Sequence, residues 1–211
     1  MTAPLDTHWV CLAGGDGSGK STQAAALVAA LVAEGVDAVE VGIWDGLTDP
    51  VTAPLLGFSD RAQVQEYLRV LGPRARALFL FHALHAAIDL AASRQPQVAI
   101  LNAHWYKYFA SEVALGGDPA ELRAWVTGFP EPARTFYLRV EPVVAMARKS
   151  ELSPYESGFG ADEEFVQVQA DAQVTLDRLS AELGWIELDG AADRAVLTAQ
   201  IAGEILAQVR A

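Results

Sequence analysis

A glycine-rich segment near the N-terminus combines residue types and a spacing that suit phosphate binding. Residues 14–21 (GGDGSGKS), here called the glycine loop, match the pattern G-x-x-x-x-G-K-[ST] at every required position. Phosphate oxygens need several convergent N–H donors, and a backbone with few Cβ atoms can wrap closely enough to supply them. Lys20 is placed to reach the β- and γ-phosphates, and the Ser21 hydroxyl to hold Mg²⁺. We therefore predict phosphate contacts from Gly15, Gly17, Ser18, Gly19, Lys20, Ser21 and Thr22.

The segments on either side of the glycine loop supply the structural context that this motif requires. Residues 8–13 form an apolar, strand-like run, and the alanine-rich residues 22–33 are strongly helical in composition. The N-terminus of such a helix adds unpaired N–H groups and the positive end of its dipole. The order of strand, loop and helix therefore favours a phosphate-binding motif over a chance turn.

Composition and charge limit the classes of partner and location. The chain has 211 residues and a formal net charge of −12, and this length suits one domain over residues 1–211. The acidic surface argues against nucleic acid or an anionic membrane as a partner. We see neither a run of about 18 apolar residues nor a secretory signal. The lone Cys11 allows no intrachain disulfide and is expected to be a buried small hydrophobe, which together suggest a cytoplasmic protein.

Strand-like and helical patterns alternate along the whole chain. Strands are predicted at 8–13, 36–44, 97–102, 134–140 and 185–188, and helices at 22–34, 61–71, 74–93, 104–115, 120–127, 142–149, 162–183 and 191–209. This alternation predicts a parallel sheet with helices on both faces. Residues 45–59 are expected to be a loop, and the helix at 74–93 is apolar enough to be buried or to line a pocket. Residues 150–161 lack an apolar period, and we expect a mobile surface loop there.

At several points in order, the sequence resembles the thymidylate kinase family. Residues 13–23 (AGGDGSGKSTQ) are similar to the family's loop, E-G-x-D-G-[SA]-G-K-[ST]-T-Q, and weaker similarities lie at 78–85, 101–104 and 137–148. Only the loop is highly specific. The resemblance implies a three-layer P-loop kinase fold with a five-stranded parallel sheet and a mobile lid at about 150–161. It also implies ATP and Mg²⁺ as cofactors, dTMP as the default phosphoryl acceptor, and a homodimer.

The chain departs from the family mainly where the acceptor would bind. The Asp and Arg of the family motif D-R-[YH] are replaced by Asn102 and Ala103. His85 stands where the family has an Arg that contacts the base, while the base-stacking aromatic residue is kept as Phe81. The family's E-P segment after the second strand is replaced by residues 42–46, which include Trp44. The donor half of the site is therefore expected to be intact and the acceptor half rebuilt.

The resemblance also assigns roles to individual side chains. Lys20, Arg148 and Asp16 are expected to be catalytic, and Ser21 and Asn102 to lie at the metal. The expected acceptor-binding residues are Asp16, Trp44, Phe81, His85, Asn102, His104, Lys107 and Glu112. Lys107 is the obvious replacement for the missing Arg, with Arg74 and Arg76 as the other candidates. Core packing for Phe81 and His85, interface packing for 104–108 and a simple helix-end role for Arg148 remain open alternatives.

Three functions remain open at this point. The first is transfer of the ATP γ-phosphoryl group to a nucleoside monophosphate, by default dTMP. The second is a related kinase for a modified nucleotide or a small neutral alcohol, whose hydroxyl would meet Asp16 or Glu112. The third is a nucleotide-binding protein with little turnover, as the loss of the family's Asp at Asn102 would allow. Glu151 and Glu156 are expected only to keep the lid soluble.

Overall fold

Five strands build the central sheet of the protein. The computed structural model of the chain describes residues 7–51, 58 and 60–210, so most of the second half of the predicted 45–59 loop lies outside the described residues. The strands are β1 (His8–Ala13), β2 (Ala38–Val41), β3 (Val98–Asn102), β4 (Arg134–Arg139) and β5 (Ile186–Asp189). All five were predicted, and β2 is shorter than the run expected from the sequence.

The strands are all parallel and lie in the order β2-β3-β1-β4-β5. β1 lies at the centre, with Leu12 opposite Asn102 of β3 on one side and Phe136 of β4 on the other. The chain runs from β1 to β2 on one side of the sheet and from β4 to β5 on the other. Such a reversal opens a crevice at the carboxyl ends of the strands, where α/β proteins bind ligands. The glycine loop follows β1 directly into this crevice.

Helices cover both faces of the sheet. They are α1 (Lys20–Ala33), α2 (Asp45–Thr48), α3 (Arg61–Val70), α4 (Pro73–Ser93), α5 (Trp105–Ala114), α6 (Pro119–Trp125), α7 (Pro142–Ala147), α8 (Phe165–Leu183) and α9 (Arg194–Val209). Alternate residues of β1 point to opposite faces. Val10 and Leu12 join a core with α1 and α9, whereas Trp9 and Cys11 join a core with α4, α5 and α8. The predicted α/β fold with a five-stranded parallel sheet between helices is confirmed.

Helix boundaries differ from the predictions where capping decides them. Asp193 accepts hydrogen bonds from Ala195 N and Val196 N, so α9 begins at Arg194 rather than at 191. The predicted helix at 162–183 begins later, because Asp162 opens a short 3-10 turn, Asp162–Glu164, before α8. Asp118 caps α6 by accepting from Ala120 N. Within the predicted loop, Asp45–Thr48 form the short helix α2.

One helix in the described part of the chain, α4, is long and apolar enough to cross a membrane by length and composition. Half of its most apolar window is buried inside the fold, as in the core helix of a soluble protein. Ala77, Leu80 and Leu84 are among the residues that it buries. α4 therefore has the buried core position that the sequence predicts for it, and the cytoplasmic location stays a prediction.

Candidate functional site

The glycine loop has a backbone that side chains would disrupt. Gly14, Gly17 and Gly19 have φ values of 148°, 80° and 93°, in the region that favours glycine. A Cβ on Gly17 would lie 2.6 Å from the carbonyl oxygen of Ala145 in α7, which is closer than any real contact. The loop therefore needs glycine both for its turns and for its close approach to α7.

Lys20 lies folded inside the glycine loop. Its Nζ donates to the Gly15 carbonyl oxygen at 2.6 Å and approaches the Ser18 hydroxyl at 3.3 Å. Burial lowers the pKa of Lys20 to about 8, although the nearby Asp16 carboxylate opposes this shift. The amine is therefore mostly charged at neutral pH and lies at the first turn of α1.

A cavity of about 720 Å³ opens beside the glycine loop, at the carboxyl ends of β1 and β3. This volume is in the usual range for small-molecule sites. The predicted site residues that line it are Asp16, Gly17, Gly19, Lys20, Ser21, Thr22, Trp44, Asn102, Lys107 and Arg148. Gly15 and Ser18 instead border a small cleft on the other side of the loop, towards Gln169.

Three predicted acceptor residues lie outside this cavity, and their assignment is corrected here. His85 stacks on the ring of Phe129 with 3.8 Å between ring centroids, and Phe81 meets the same ring edge-on at 6.1 Å. His104 is fully buried among aromatic rings, again including Phe129. Since Phe129 covers this side of α4, Leu80 is the α4 residue that lines the cavity. The alternative of core packing holds for Phe81, and His104 lies in the same buried cluster, while His85 is half-buried against Phe129.

Glu112 is also misassigned as an acceptor-binding residue. Its carboxylate is buried and receives two hydrogen bonds from Arg76, both at 2.9 Å. The Tyr155 hydroxyl donates a third, also at 2.9 Å. With these donors committed to its two oxygens and no place in the cavity lining, Glu112 joins α4, α5 and the lid rather than a ligand.

An ion pair between Lys107 and Asp16 forms one wall of the cavity. Lys107 Nζ lies 3.1 Å from Asp16 Oδ2, and about 5 Å from the ring centroids of Tyr108 and Tyr155. Burial raises the pKa of Asp16, but the charges of Lys107 and Lys20 outweigh burial and leave that pKa below its usual value. The Asp16 carboxylate is therefore ionised at neutral pH, and its charge is balanced by Lys107.

The lid, residues 150–161, is tied to the rest of the structure. Glu156 Oε1 accepts from Lys149 Nζ at 2.8 Å, and the Glu156 backbone carbonyl accepts from Gln169 Nε2 at 3.1 Å. Tyr155 and Ser157 are buried, and Tyr155 and Glu156 line the cavity. The segment is a loop with exposed residues such as Glu151, as expected, but the expectation that Glu156 serves only solubility is wrong. Its side chains close one side of the cavity.

Asn102 joins β2, β3 and α1 by hydrogen bonds beside the cavity. Asn102 and Ser21 line the cavity, whereas Glu40 lines a separate, smaller cavity of about 240 Å³. Asn102 Nδ2 donates to Ser21 Oγ at 3.0 Å and to Glu40 Oε1 at 2.8 Å. Burial is the largest effect on the pKa of Glu40 and raises it. The hydrogen bond from Asn102 opposes this rise and the charge of Asp45 adds to it, so the pKa lies above its usual value. Sequence reasoning missed Glu40, although a carboxylate between Val39 and Val41 in a parallel strand was a signal that could have found it.

Arg148 is the remaining predicted catalytic residue. Its Nη1 donates to the Gly190 carbonyl oxygen at 2.9 Å, just after β5, while the residue still lines the cavity. Other lining residues were not predicted, among them Gln65, Leu80, Tyr108 and Tyr155. The cavity thus draws residues from the glycine loop, from helices on both faces of the sheet and from the lid.

Two comparisons with known proteins find no match to this chain. No protein-family model matches the chain, and a search of curated proteins finds no similar protein. The likeness to thymidylate kinases therefore depends on the residues quoted above, and above all on the glycine loop.

Proposed function

We propose that this protein is a P-loop kinase that transfers the γ-phosphoryl group of ATP to a small acceptor held in the 720 Å³ cavity. The observation that carries the proposal is the buried Lys20 amine, which the glycine loop surrounds at the edge of that cavity. The resemblance to thymidylate kinases supports the same reaction and gives a nucleoside monophosphate as the default acceptor.

Phosphate binding would use the backbone as well as charge. No side chain caps the N-terminus of α1, so the N–H groups of its first turn and the positive end of its dipole would be available to phosphates. Lys20 and Arg148, which both line the cavity, add positive charge. Fixed donors and cations of this kind stabilise the charge that develops during phosphoryl transfer.

Ser21, together with Glu40 on the far side of Asn102, offers groups that fit Mg²⁺. The described residues contain no cluster of three or more His, Cys, Asp or Glu side chains that could hold a metal. Mg²⁺ bound with a nucleotide does not need one, because it takes one or two protein oxygens together with phosphates and water. Ser21 offers a hydroxyl and Glu40 offers a carboxylate. The two groups are joined through the Asn102 amide, which donates a hydrogen bond to each. When bound, Mg²⁺ would neutralise charge on the β- and γ-phosphate oxygens.

The remaining residues would position the acceptor and exclude water. The ionised Asp16 carboxylate can accept a hydrogen bond from an acceptor hydroxyl and aim its oxygen at the transferred group. Lys107 holds Asp16 in place. The lid residues Tyr155 and Glu156 cover the cavity, which strengthens every charge interaction inside it.

The decisive experiment replaces Lys20. Lys20→Ala removes the cation beside the transferred group, and we expect ATP turnover to fall by at least about 100-fold with the fold unchanged by circular dichroism. Arg69→Ala, an exposed change in α3, is the matched control and should keep full turnover. Undiminished activity in Lys20→Ala would refute the kinase proposal.

A second candidate, a nucleotide-binding protein with little turnover, is favoured by one observation. Asn102 brings no charge to the position next to Ser21. ATP binding without ATP consumption, in the presence of a panel of nucleosides and nucleotides, would identify this function. A homodimer and a cytoplasmic location stay predictions, and the first can be checked by light scattering.

A further inference from the structure

Four cationic residues line the cavity in the described part of the chain, and they divide into two kinds. Lys107 and Lys149 are each paired with a carboxylate, Asp16 at 3.1 Å and Glu156 at 2.8 Å. Lys20 and Arg148 contact carbonyl oxygens and form no ion pair with the described residues.

The two unpaired cations are those assigned to ATP by the proposed function. Lys20 lies inside the glycine loop, and Arg148 lies beside the lid. Together with Mg²⁺ they can balance the charge of the nucleotide phosphates. A second phosphate group, on the acceptor, would need further positive charge.

The cations nearest in sequence to the acceptor side are already neutralised. Arg76 is buried and bound by both oxygens of Glu112. Arg74 is exposed, away from the cavity lining, and paired with Glu121. Lys107 is the one of the three candidates that reaches the cavity, and its amine lies against Asp16 and two aromatic rings. A phosphate dianion placed there would be close to the Asp16 carboxylate, and an uncompensated charge in such a site costs several kcal/mol.

We propose that the acceptor is an uncharged alcohol that carries a planar ring, rather than a nucleoside monophosphate. This inference rests on the proposed kinase function and revises its default acceptor. The cavity wall supplies the matching surfaces: Trp44, Tyr108 and Tyr155 offer aromatic rings, and Ile43 and Leu80 offer aliphatic contact. The acceptor hydroxyl would hydrogen-bond to Asp16.

The chemical step is a simple exchange of P–O bonds. The acceptor hydroxyl oxygen forms a bond to the γ-phosphorus while the bond from that phosphorus to the β,γ-bridging oxygen breaks. The electron pair of the broken bond leaves with ADP. The hydroxyl proton passes to the Asp16 carboxylate as the new bond forms, and then to solvent. Asp16 serves mainly to position the hydroxyl, because phosphoryl transfer has a loose transition state.

The first arm of the test measures phosphoryl transfer. Wild-type protein is incubated with [γ-³²P]ATP, Mg²⁺ and matched pairs of the common nucleosides and their 5′-monophosphates. We expect no transfer of the labelled phosphoryl group to any monophosphate. Transfer of that group to a nucleoside, the uncharged member of a pair, supports the proposal. Transfer to a monophosphate overturns the inference and leaves the kinase proposal standing. Turnover that survives Lys20→Ala refutes the kinase proposal instead, so the two failures are distinguishable.

The second arm measures anion binding, and it tests the inference even if the panel of the first arm contains no true acceptor. Binding of dTMP and inorganic phosphate is measured by calorimetry in the presence of a non-hydrolysable ATP analogue and Mg²⁺, which fill the donor site. Asp16→Asn leaves Lys107 without its carboxylate, and we expect at least one of the two anions to bind tenfold or more tightly than to wild type. Glu151→Gln removes an equal charge from an exposed lid position and should change neither affinity. Wild-type affinity in Asp16→Asn would overturn the inference.

Discussion

The Tyr155 hydroxyl donates a hydrogen bond to Glu112 Oε1 at 2.9 Å, and this contact joins the lid to α5. The same carboxylate holds Arg76 by two further hydrogen bonds. The ring of Phe159, also in the lid, lies 5.0 Å from the Arg76 guanidinium carbon. The lid therefore covers a buried ion pair, and opening the lid would expose that pair to water.

Removing the Tyr155 hydroxyl should loosen the lid. In Tyr155→Phe the ring remains but Glu112 loses one of its donors, and a hydrogen bond to a charged group contributes about 1.5–3 kcal/mol. We expect faster cleavage of residues 150–161 in limited proteolysis, with ATP–Mg²⁺ slowing cleavage in both proteins.

The control for this change is Tyr67→Phe, which removes a hydroxyl from a partly exposed tyrosine of α3. Its proteolysis pattern should match that of the wild type. Equal cleavage of Tyr155→Phe and wild type would show that the contact does not hold the lid.

Glu112 should matter for stability more than for ligand binding. Glu112→Gln leaves the buried Arg76 guanidinium without its counter-charge, which typically costs about 3–5 kcal/mol of unfolding free energy. Urea denaturation measures this directly. A double replacement, Arg76→Met with Glu112→Leu, removes both charges and should recover much of the loss.

An exposed ion pair provides the comparison. Glu121→Gln breaks the pair with Arg74 at the surface, where solvent screens the charges, so the denaturation midpoint should hardly move. A Glu112→Gln protein as stable as Glu121→Gln would contradict the role assigned to the buried pair.

Those parts of the fold that local sequence determines were predictable. The continuous apolar run in β3 is typical of a strand buried on both faces, and the glycines at 14, 17 and 19 mark the turns of the loop. β1, the loop and α1 follow each other in the chain, so a single motif fixes their relation. The loop to which the proposed function assigns ATP was therefore predictable from residues 8–33.

The rest of the cavity depends on contacts between distant residues, and sequence patterns do not contain them. α4 is apolar on most of its surface, so its pattern could not show that Leu80 rather than Phe81 faces the cavity. Phe129, which covers Phe81, comes from a segment after α6. Likewise, Arg76 and Glu112 lie 36 residues apart, and neither carries a local sign of the other.

Glu40 is expected to support the metal requirement of the proposed kinase. Glu40→Gln removes the carboxylate that Asn102 links to Ser21, and changes of this kind near a metal often weaken its binding about tenfold or more. We expect the Mg²⁺ concentration for half-maximal ATP turnover to rise by about that factor. Glu34→Gln, at the far end of α1, should leave it unchanged. An unaltered Mg²⁺ dependence in Glu40→Gln would exclude Glu40 from the metal site.

His104 should make the protein less stable in acid. Burial, and then the charge of His85, lower its pKa to about 3, and neither ring nitrogen has a hydrogen-bond partner among the described residues. The unfolded chain takes up a proton near pH 6.5 whereas the folded protein does not, so stability falls as the pH drops below about 6.5, by about 1.4 kcal/mol per unit. His104→Phe keeps an aromatic ring but cannot titrate, and between pH 7.5 and 5 it should lose about 2 kcal/mol less unfolding free energy than the wild type. His82→Gln, at an exposed position of α4, should follow the wild-type curve. Parallel pH profiles of His104→Phe and wild type in urea denaturation would show that His104 is protonated in the folded protein.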